Sequence, residues 1–179
     1  MMNLSNPLPI VWENYEASKA ALIITKRAIT HNDKETLLFH SFFEAQNPTE
    51  AKPIIENSLK EMEDLFVLSL WSKFERFVRD YLQQKGTSLQ TIQPTALALP
   101  MYEYFCDEVE FWKPNPMLDL LKKSLFTSHS HLIGQAKQIL AYRDWVAHGK
   151  NPNKHPSSNI RAKFAYDTLD YIVETLLLN

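Results

Sequence analysis

Glycine is scarce in this 179-residue sequence, which has only three, at positions 86, 134 and 149. Phosphate-binding loops of α/β folds and tight hairpin turns rely on glycine, because other residues adopt positive φ only with strain. The three glycines are too far apart to form a dinucleotide-binding fingerprint or a P-loop. Their scarcity excludes those folds and a sheet built of hairpins, and it favours helices, whose interiors avoid glycine.

Cysteine occurs once, at Cys106, so the chain forms neither an internal disulfide nor a cysteine-rich zinc site. The first residues, MMNLSNPLPIVWENYEASK, lack the basic stretch and apolar run that mark a signal peptide. No apolar run approaches the roughly 20 residues that cross a membrane. We therefore expect a soluble, cytoplasmic protein that has no membrane partner, no metal and no cofactor.

An excess of one charge is also missing, since 19 basic residues face 21 acidic ones and the sequence pI is about 6.3. This balance argues against a strongly basic nucleic-acid platform, but it leaves room for a local basic cleft. Hydrophobic residues make up 45% of the chain, which excludes a disordered protein.

Prolines and hydrophobic periodicity divide the chain into helices. Pro53 and Pro94 bound a long proline-free stretch, in which apolar residues recur at spacings of three and four: Leu59, Met62, Phe66, Leu70, Phe74, Phe77 and Tyr81. Such a pattern predicts a central helix over 50–85, which Gly86 ends. The full prediction is an all-α bundle of five to seven helices, with three long ones over 50–85, 130–148 and 158–178 and shorter ones over 11–29, 34–45 and 117–126, and with a loop plus a short helix within 87–116.

This bundle is interpreted as a single domain over residues 1–179, with N-terminal helices in 1–48 and a core in 49–179. Gly149 is expected to end the helix over 130–148. Gly134 falls inside that same helix, where a close contact between two helices is one explanation.

The segment Arg143-Asp144-Trp-Val-Ala-His148 carries the chemistry that the sequence offers. At about 100° per residue, Asp144 and His148 lie about 40° apart on the helix surface. The negative end of the helix dipole favours a protonated histidine there. An arginine binds phosphate oxygens with its planar fork and a histidine moves protons, so the pair suits acid–base work on a phosphodiester.

A structural interpretation of the same residues stays open. His148 can cap the last carbonyls of the helix while Arg143 forms a surface salt bridge, because an arginine and a histidine five residues apart occur often by chance.

The motif resembles the signature of the HEPN superfamily of all-helical domains. In that signature an arginine, usually followed by a polar residue, precedes a histidine. Here Asp144 follows Arg143, and four residues separate Arg143 from His148. Gly149 follows as in many prokaryotic members, and the motif ends a late helix before one last helix. The segment around Trp71 is similar to the early helix that packs beside the motif helix in the family.

The resemblance implies a helical bundle that forms a symmetric dimer with a composite cleft between the two motif helices. It implies a metal-independent ribonuclease of toxin–antitoxin or phage-defence systems, with RNA as substrate and an antitoxin protein as a possible partner. The RNA 2′-hydroxyl would attack the adjacent phosphate, leaving a 2′,3′-cyclic phosphate. His148 would be the general base or acid, Arg143 would stabilise the phosphate charge, and Asp144 would orient either of them.

Three further residues are candidates for the substrate site. Lys150 adds positive charge beside the motif, and Lys154 in the following loop can line an RNA path. Glu75 on the long helix is either an acidic partner of Arg143 or His148 or an i,i+4 surface partner of Arg79. A non-catalytic HEPN-like module that binds RNA, nucleotide or a protein partner, and a helical interaction protein without a nucleic-acid role, are the alternatives to the enzyme.

Overall fold

A computed structural model describes residues 4–31 and 37–179 of the chain, and in these ranges it contains helices and no strand. Six α-helices follow one another, which confirms the predicted all-α bundle of five to seven helices. They are α1 (Leu8–Thr30), α2 (Pro48–Lys85), α3 (Thr95–Phe111), α4 (Pro114–Lys123), α5 (Ser130–Ala147) and α6 (Ala162–Leu177), with 3-10 turns at Gly86–Thr91 and Pro152–Lys154.

Helix α2 is the centre of the bundle and packs against α1, α3, α5 and α6. Its start is specified by a capping box, in which the Asn47 side chain and the Glu50 side chain each bond the backbone of the other residue. The prediction of a long helix over 50–85 is confirmed. Its buried face contributes much of the core: Phe66, Val67, Leu70, Trp71, Phe74, Phe77, Val78, Tyr81 and Leu82.

Gly86 follows the last residue of α2, but its φ of −63° is an ordinary right-handed value. The absence of a side chain serves close packing instead. A Cβ atom at Gly86 would lie 2.4 Å from the Phe105 ring of α3, closer than real Cβ contacts come. Glycine therefore allows α3 to pack against the end of α2.

The prediction of a helix over 34–45 is wrong where the structure tests it, because residues 37–45 form turns. Residues 32–36 lie outside the described part of the chain. Leu38 is buried against the α1–α2 contact, whereas Leu37, Phe39 and Phe42 are exposed. A segment that buries so few side chains has no apolar stripe to hold a helix against the bundle. The described part of 1–48 therefore holds a single helix, α1, ahead of the start of α2.

Helix α3 is longer than the predicted loop and short helix, and it carries Pro100 in its interior. A proline there removes one intrahelical hydrogen bond, to the carbonyl of Ala96. Both residues lie on the exposed side of α3, and the helix continues through the proline. None of the helices in the described ranges combines the length and the apolar character that a membrane-crossing segment requires.

Candidate functional site

The end of α5 has a defined stop that holds His148 at the surface. The N–H of Gly149 donates to the carbonyl of Val146 at 3.1 Å, and the N–H of Lys150 donates to the carbonyl of Trp145 at 2.9 Å. These two bonds form a Schellman motif, with Gly149 in the left-handed region at φ 77°. The predicted role of Gly149 as a helix stop is therefore confirmed, and His148 is the last residue before the chain turns away.

His148 faces a recess of about 310 Å³ at this helix end, which we call the His148 recess. The side chain of His148 is exposed and makes no hydrogen bond or ion pair with any residue in 4–31 or 37–179. An imidazole in this setting has both ring nitrogens available to a ligand. The recess is lined by Ala141, Asp144, Trp145, His148, Asn151 and Lys154.

Lys154, from the turn after the motif, and Trp145, from α5, both line the His148 recess. Lys154 lies in the short 3-10 turn after the motif and has no ion-pair partner among the described residues. The Trp145 indole N–H donates to the carbonyl of Asn151 at 2.9 Å, and its ring lies 4.6 Å from that of His155. These contacts tie the loop to α5, so Lys154 of the loop and His148 at the helix end border one space.

Arg143 lies beside the recess and does not line it. Its guanidinium donates to Asp144 at 2.9 Å and lies 4.0 Å from the Glu75 carboxylate of α2. The Arg143 side chain is 31% exposed and is therefore partly accessible to solvent. Asp144 therefore connects the arginine to the recess that His148 faces.

Glu75 lies close to Arg143, as the first interpretation expected, and it also pairs with Arg79, but Arg79 is buried, so this pair does not lie on the surface as the second interpretation expected. It accepts a hydrogen bond from the indole of Trp71 at 2.9 Å and from Arg79 at 2.7 Å. Arg79 in turn donates to backbone carbonyls at the end of α3, among them that of Trp112 at 2.7 Å. Glu75 is thus a fixed negative charge behind Arg143, and it does not reach the His148 recess.

Lys150 is turned away from the His148 recess, toward α2. Its ammonium is ion-paired with Asp64 and lies 3.0 Å from Glu61. The hydrogen bond to Asp64 raises the pKa of Lys150 above its ordinary value. The structure therefore does not place this predicted substrate-binding cation with His148, because its ion pairs hold the Lys150 side chain against α2.

Asp64 is the buried carboxylate of this region that sequence reasoning missed. It is buried, it accepts a hydrogen bond from the Tyr142 hydroxyl at 2.6 Å, and it forms an ion pair with the ammonium of Lys150. A signal was present, since Asp64 precedes Val67 by three residues and Trp71 by seven, which puts a carboxylate on the apolar stripe of α2. Buried carboxylates need partners, and these two come from the motif helix and the turn after it.

The geometry thus brings three of the six predicted site residues to one recess. The other three, Arg143, Glu75 and Lys150, do not line it. His148, Asp144 and Lys154 border one recess, Arg143 adjoins it through Asp144, and Glu75 lies behind Arg143. Such an arrangement can hold an anion near an imidazole. In the described ranges no cluster of three His, Cys, Asp or Glu residues is arranged to hold a metal ion.

Comparison of the chain with protein-family models, with curated proteins and with solved structures finds no match.

Proposed function

We propose that the chain is a metal-independent endoribonuclease of the HEPN type, with its active centre at the His148 recess. The observation that carries the proposal is the Schellman stop at Gly149, which presents an unpaired His148 side chain to an open recess beside Arg143 and Lys154. A histidine with free ring nitrogens next to cations has what proton transfer on a phosphodiester requires.

In the proposed reaction, the neutral imidazole of His148 takes the proton of an RNA 2′-hydroxyl. The 2′-oxygen then attacks the adjacent phosphorus, and the bond from phosphorus to the 5′-oxygen breaks. Arg143 and Lys154 offset the charge that develops on the phosphate oxygens. A proton delivered to the leaving oxygen completes the reaction and yields a 2′,3′-cyclic phosphate and a 5′-hydroxyl.

Two proton transfers in one reaction favour two histidines, and each chain offers one at this helix end. We therefore propose that two copies pair through α5, so that His148 of each serves one cleft, one as base and the other as acid. The exposed position of His148 at the end of α5 permits such pairing. The same proposal places the enzyme in a toxin–antitoxin or phage-defence setting, with an antitoxin protein as partner.

One observation favours the alternative, a non-catalytic module of the same kind that binds RNA, nucleotide or a protein. Arg143 has two carboxylates close to it, Asp144 at 2.9 Å and Glu75 at 4.0 Å, so its charge is largely neutralised before any phosphate arrives. In the enzyme, the phosphate has to displace Asp144 from Arg143.

The experiment is cleavage of a mixed-sequence RNA by the purified chain with EDTA present. Wild-type protein is expected to give fragments with 2′,3′-cyclic phosphate ends, identified by mass spectrometry. His148→Ala and Arg143→Ala are each expected to lower the cleavage rate by about 10²- to 10⁴-fold, because they remove proton transfer or phosphate stabilisation.

His129→Ala and Arg27→Ala are the matched controls, since both residues are exposed and lie outside the His148 recess. Both controls are expected to cleave like the wild type. If the wild-type protein binds RNA without cutting it, the result contradicts the enzyme and supports the non-catalytic RNA-binding module. Cleavage that survives His148→Ala, or that stops with EDTA, contradicts the proposed mechanism.

A further inference from the structure

An apolar recess of about 570 Å³ lies between α3 and the 3-10 turn at Gly86–Thr91. We call it the α3 recess. Helix α3 and Trp112, directly after it, provide most of the lining, and Leu89 comes from the 3-10 turn. The α3 recess shares no lining residue with the His148 recess, so ligand binding in it does not depend on the proposed ribonuclease.

The apolar side chains that line the α3 recess are open to solvent. Tyr104 is 68% exposed, Leu97 46% and Met101 40%. Monomeric proteins rarely leave a continuous apolar surface uncovered unless something binds there. The volume of about 570 Å³ lies within the roughly 300–1,000 Å³ of small-molecule sites. The recess therefore has both the size and the accessible walls that a small apolar group requires.

Glu108 is the one charged residue among the described residues that line the α3 recess. It is exposed, and its side chain makes no ion pair or hydrogen bond with any residue in 4–31 or 37–179. Helix α3 contains no lysine or arginine that could compensate it. Glu110, by contrast, is ion-paired with Arg76 at 2.8 Å. The apolar recess thus carries an uncompensated negative charge, which favours a positively charged ligand.

Two aromatic residues flank Glu108 on the same face of the helix. Tyr104 precedes it by four residues and Trp112 follows it by four, and residues at this spacing are neighbours on a helix surface. All three line the α3 recess. An ammonium group is attracted by a carboxylate and also by the face of a tyrosine or tryptophan ring. The three side chains together therefore suit an organic ammonium ion.

The Trp112 end of the α3 recess is fixed by contacts with α2. The buried guanidinium of Arg79 donates to the carbonyls of Glu110 and Trp112, at 2.7 Å each. The Phe105 ring stands perpendicular to the Trp112 ring at 6.0 Å, and Gly86 leaves room for it. These contacts position the end of α3 before a ligand arrives, which lowers the entropic cost of binding.

We propose that the α3 recess binds an amphiphilic organic cation, in which an ammonium group carries an apolar chain. The ammonium would lie at Glu108 between Tyr104 and Trp112, and the chain would run along Met101 and Leu97. The lining from Leu97 to Trp112 is about 22 Å long at the rise of an α-helix, so it accommodates an extended alkyl chain with its head group. An anionic amphiphile would place its head group against the Glu108 carboxylate.

The test is isothermal titration calorimetry of the full chain with four probes, each below its critical micelle concentration where it has one. Decyltrimethylammonium carries the cation and the chain, decanoate and decyl maltoside carry a chain without the cation, and tetramethylammonium carries the cation alone. Decyltrimethylammonium is expected to bind with one-to-one stoichiometry and at least tenfold more tightly than each of the other three.

Glu108→Gln is expected to weaken the binding of decyltrimethylammonium at least fivefold and to leave that of decyl maltoside unchanged. Glu103→Gln is the matched control, because Glu103 is an exposed, unpaired carboxylate of the same helix that does not line the recess. It removes the same charge from the chain and is expected to bind like the wild type. Tyr104→Ala removes an exposed ring and is expected to weaken decyltrimethylammonium as well.

Each alternative outcome overturns a defined part of this proposal. Decanoate that binds as tightly as decyltrimethylammonium contradicts the role of Glu108, and unchanged affinity in Glu108→Gln places any binding elsewhere. Equal weakening by Glu103→Gln reduces the effect to the overall charge of the helix. A basic amphipathic peptide that binds where decyltrimethylammonium does not replaces the small cation with a partner helix. A dimer in sedimentation that Tyr104→Ala separates replaces it with a second copy.

The failure of this proposal is distinguishable from that of the ribonuclease. Glu108→Gln is expected to cleave RNA at the wild-type rate, because Glu108 does not line the His148 recess.

Discussion

The last turn of α5 has two sides with opposite character. On one side Tyr142 is 7% exposed, and its hydroxyl shares the buried carboxylate of Asp64 with the ammonium of Lys150. On the other side Asp144 and His148 border an open recess, and the imidazole has no partner among the described residues. Both sides are polar, and they differ in whether their groups are satisfied within the chain.

This difference separates a structural network from a candidate site. Unpaired polar groups are costly when they are buried, so the chain supplies partners for Asp64 from two other segments. At the surface, water satisfies an unpaired group at little cost, and a ligand can replace that water. The Tyr142 side therefore fixes the end of α5 against α2, and this fixed position holds His148 at the recess.

The largest effect on stability is expected from Asp64→Ala. The change leaves the Tyr142 hydroxyl and the Lys150 ammonium without their shared acceptor, and we expect a loss of about 2–3 kcal/mol in the free energy of unfolding. Asp144→Ala removes an equally polar side chain from the open side and is expected to change the free energy of unfolding by less than about 0.5 kcal/mol. Urea denaturation at neutral pH measures both.

Equal destabilisation by Asp64→Ala and Asp144→Ala would remove the distinction between the two sides. Asp64→Asn sharpens the test, because an amide still accepts from Tyr142 but carries no charge for Lys150. It is expected to fall between Asp64→Ala and the wild type.

A smaller effect is expected from Gly149→Ala, which tests whether the helix stop matters to the open side. Alanine in the left-handed region costs roughly 1–2 kcal/mol, and relief of that strain would move His148. We expect this loss in urea denaturation together with a lower rate of RNA cleavage.

Gly134→Ala is the matched control for Gly149→Ala. An added Cβ atom at Gly134 meets no atom within 4 Å, and the residue lies inside α5. Alanine is expected to stabilise the helix there by up to about 1 kcal/mol and to leave cleavage unchanged. A Gly149→Ala variant as stable and as active as the wild type would show that the Schellman stop does not position the histidine.

The contrast between these two glycines also shows what the sequence can and cannot predict. A glycine after a helical stripe predicts a stop, and Gly149 confirms it, because the requirement is local to a few residues of backbone. The explanation of Gly134 by a close contact between helices is wrong, since the space beside it is open. Gly86 needs the Phe105 ring of α3 for its explanation, and no local pattern reveals that contact.

The candidate site divides in the same way. Spacing along one helix places Asp144 and His148 correctly at one recess, because Asp144 belongs to α5 and His148 is the residue directly after its end. Lys150, only two residues further on, lies beyond the stop, where helical geometry no longer applies. Its partner Asp64 is 86 residues distant in sequence, so the side that Lys150 faces depends on tertiary packing.

The smallest effect is a pH dependence, in which a change of Tyr142 itself isolates the contribution of the Tyr142 side. Burial raises the pKa of the Tyr142 hydroxyl above its ordinary value of 10.0, and the hydrogen bond to Asp64 raises it further. Above pH 10 the unfolded chain loses this proton while the folded chain keeps it, so stability falls as the pH rises. Between pH 8 and pH 11 one such group accounts for a loss of about 1 kcal/mol. Tyr142→Phe is expected to abolish that part of the loss in urea denaturation. Tyr171→Phe changes an exposed tyrosine and is expected to retain it. If both variants lose stability alike on going to pH 11, the Tyr142–Asp64 contact does not hold the protonated phenol, and the Tyr142 side is no more closed than the recess of His148.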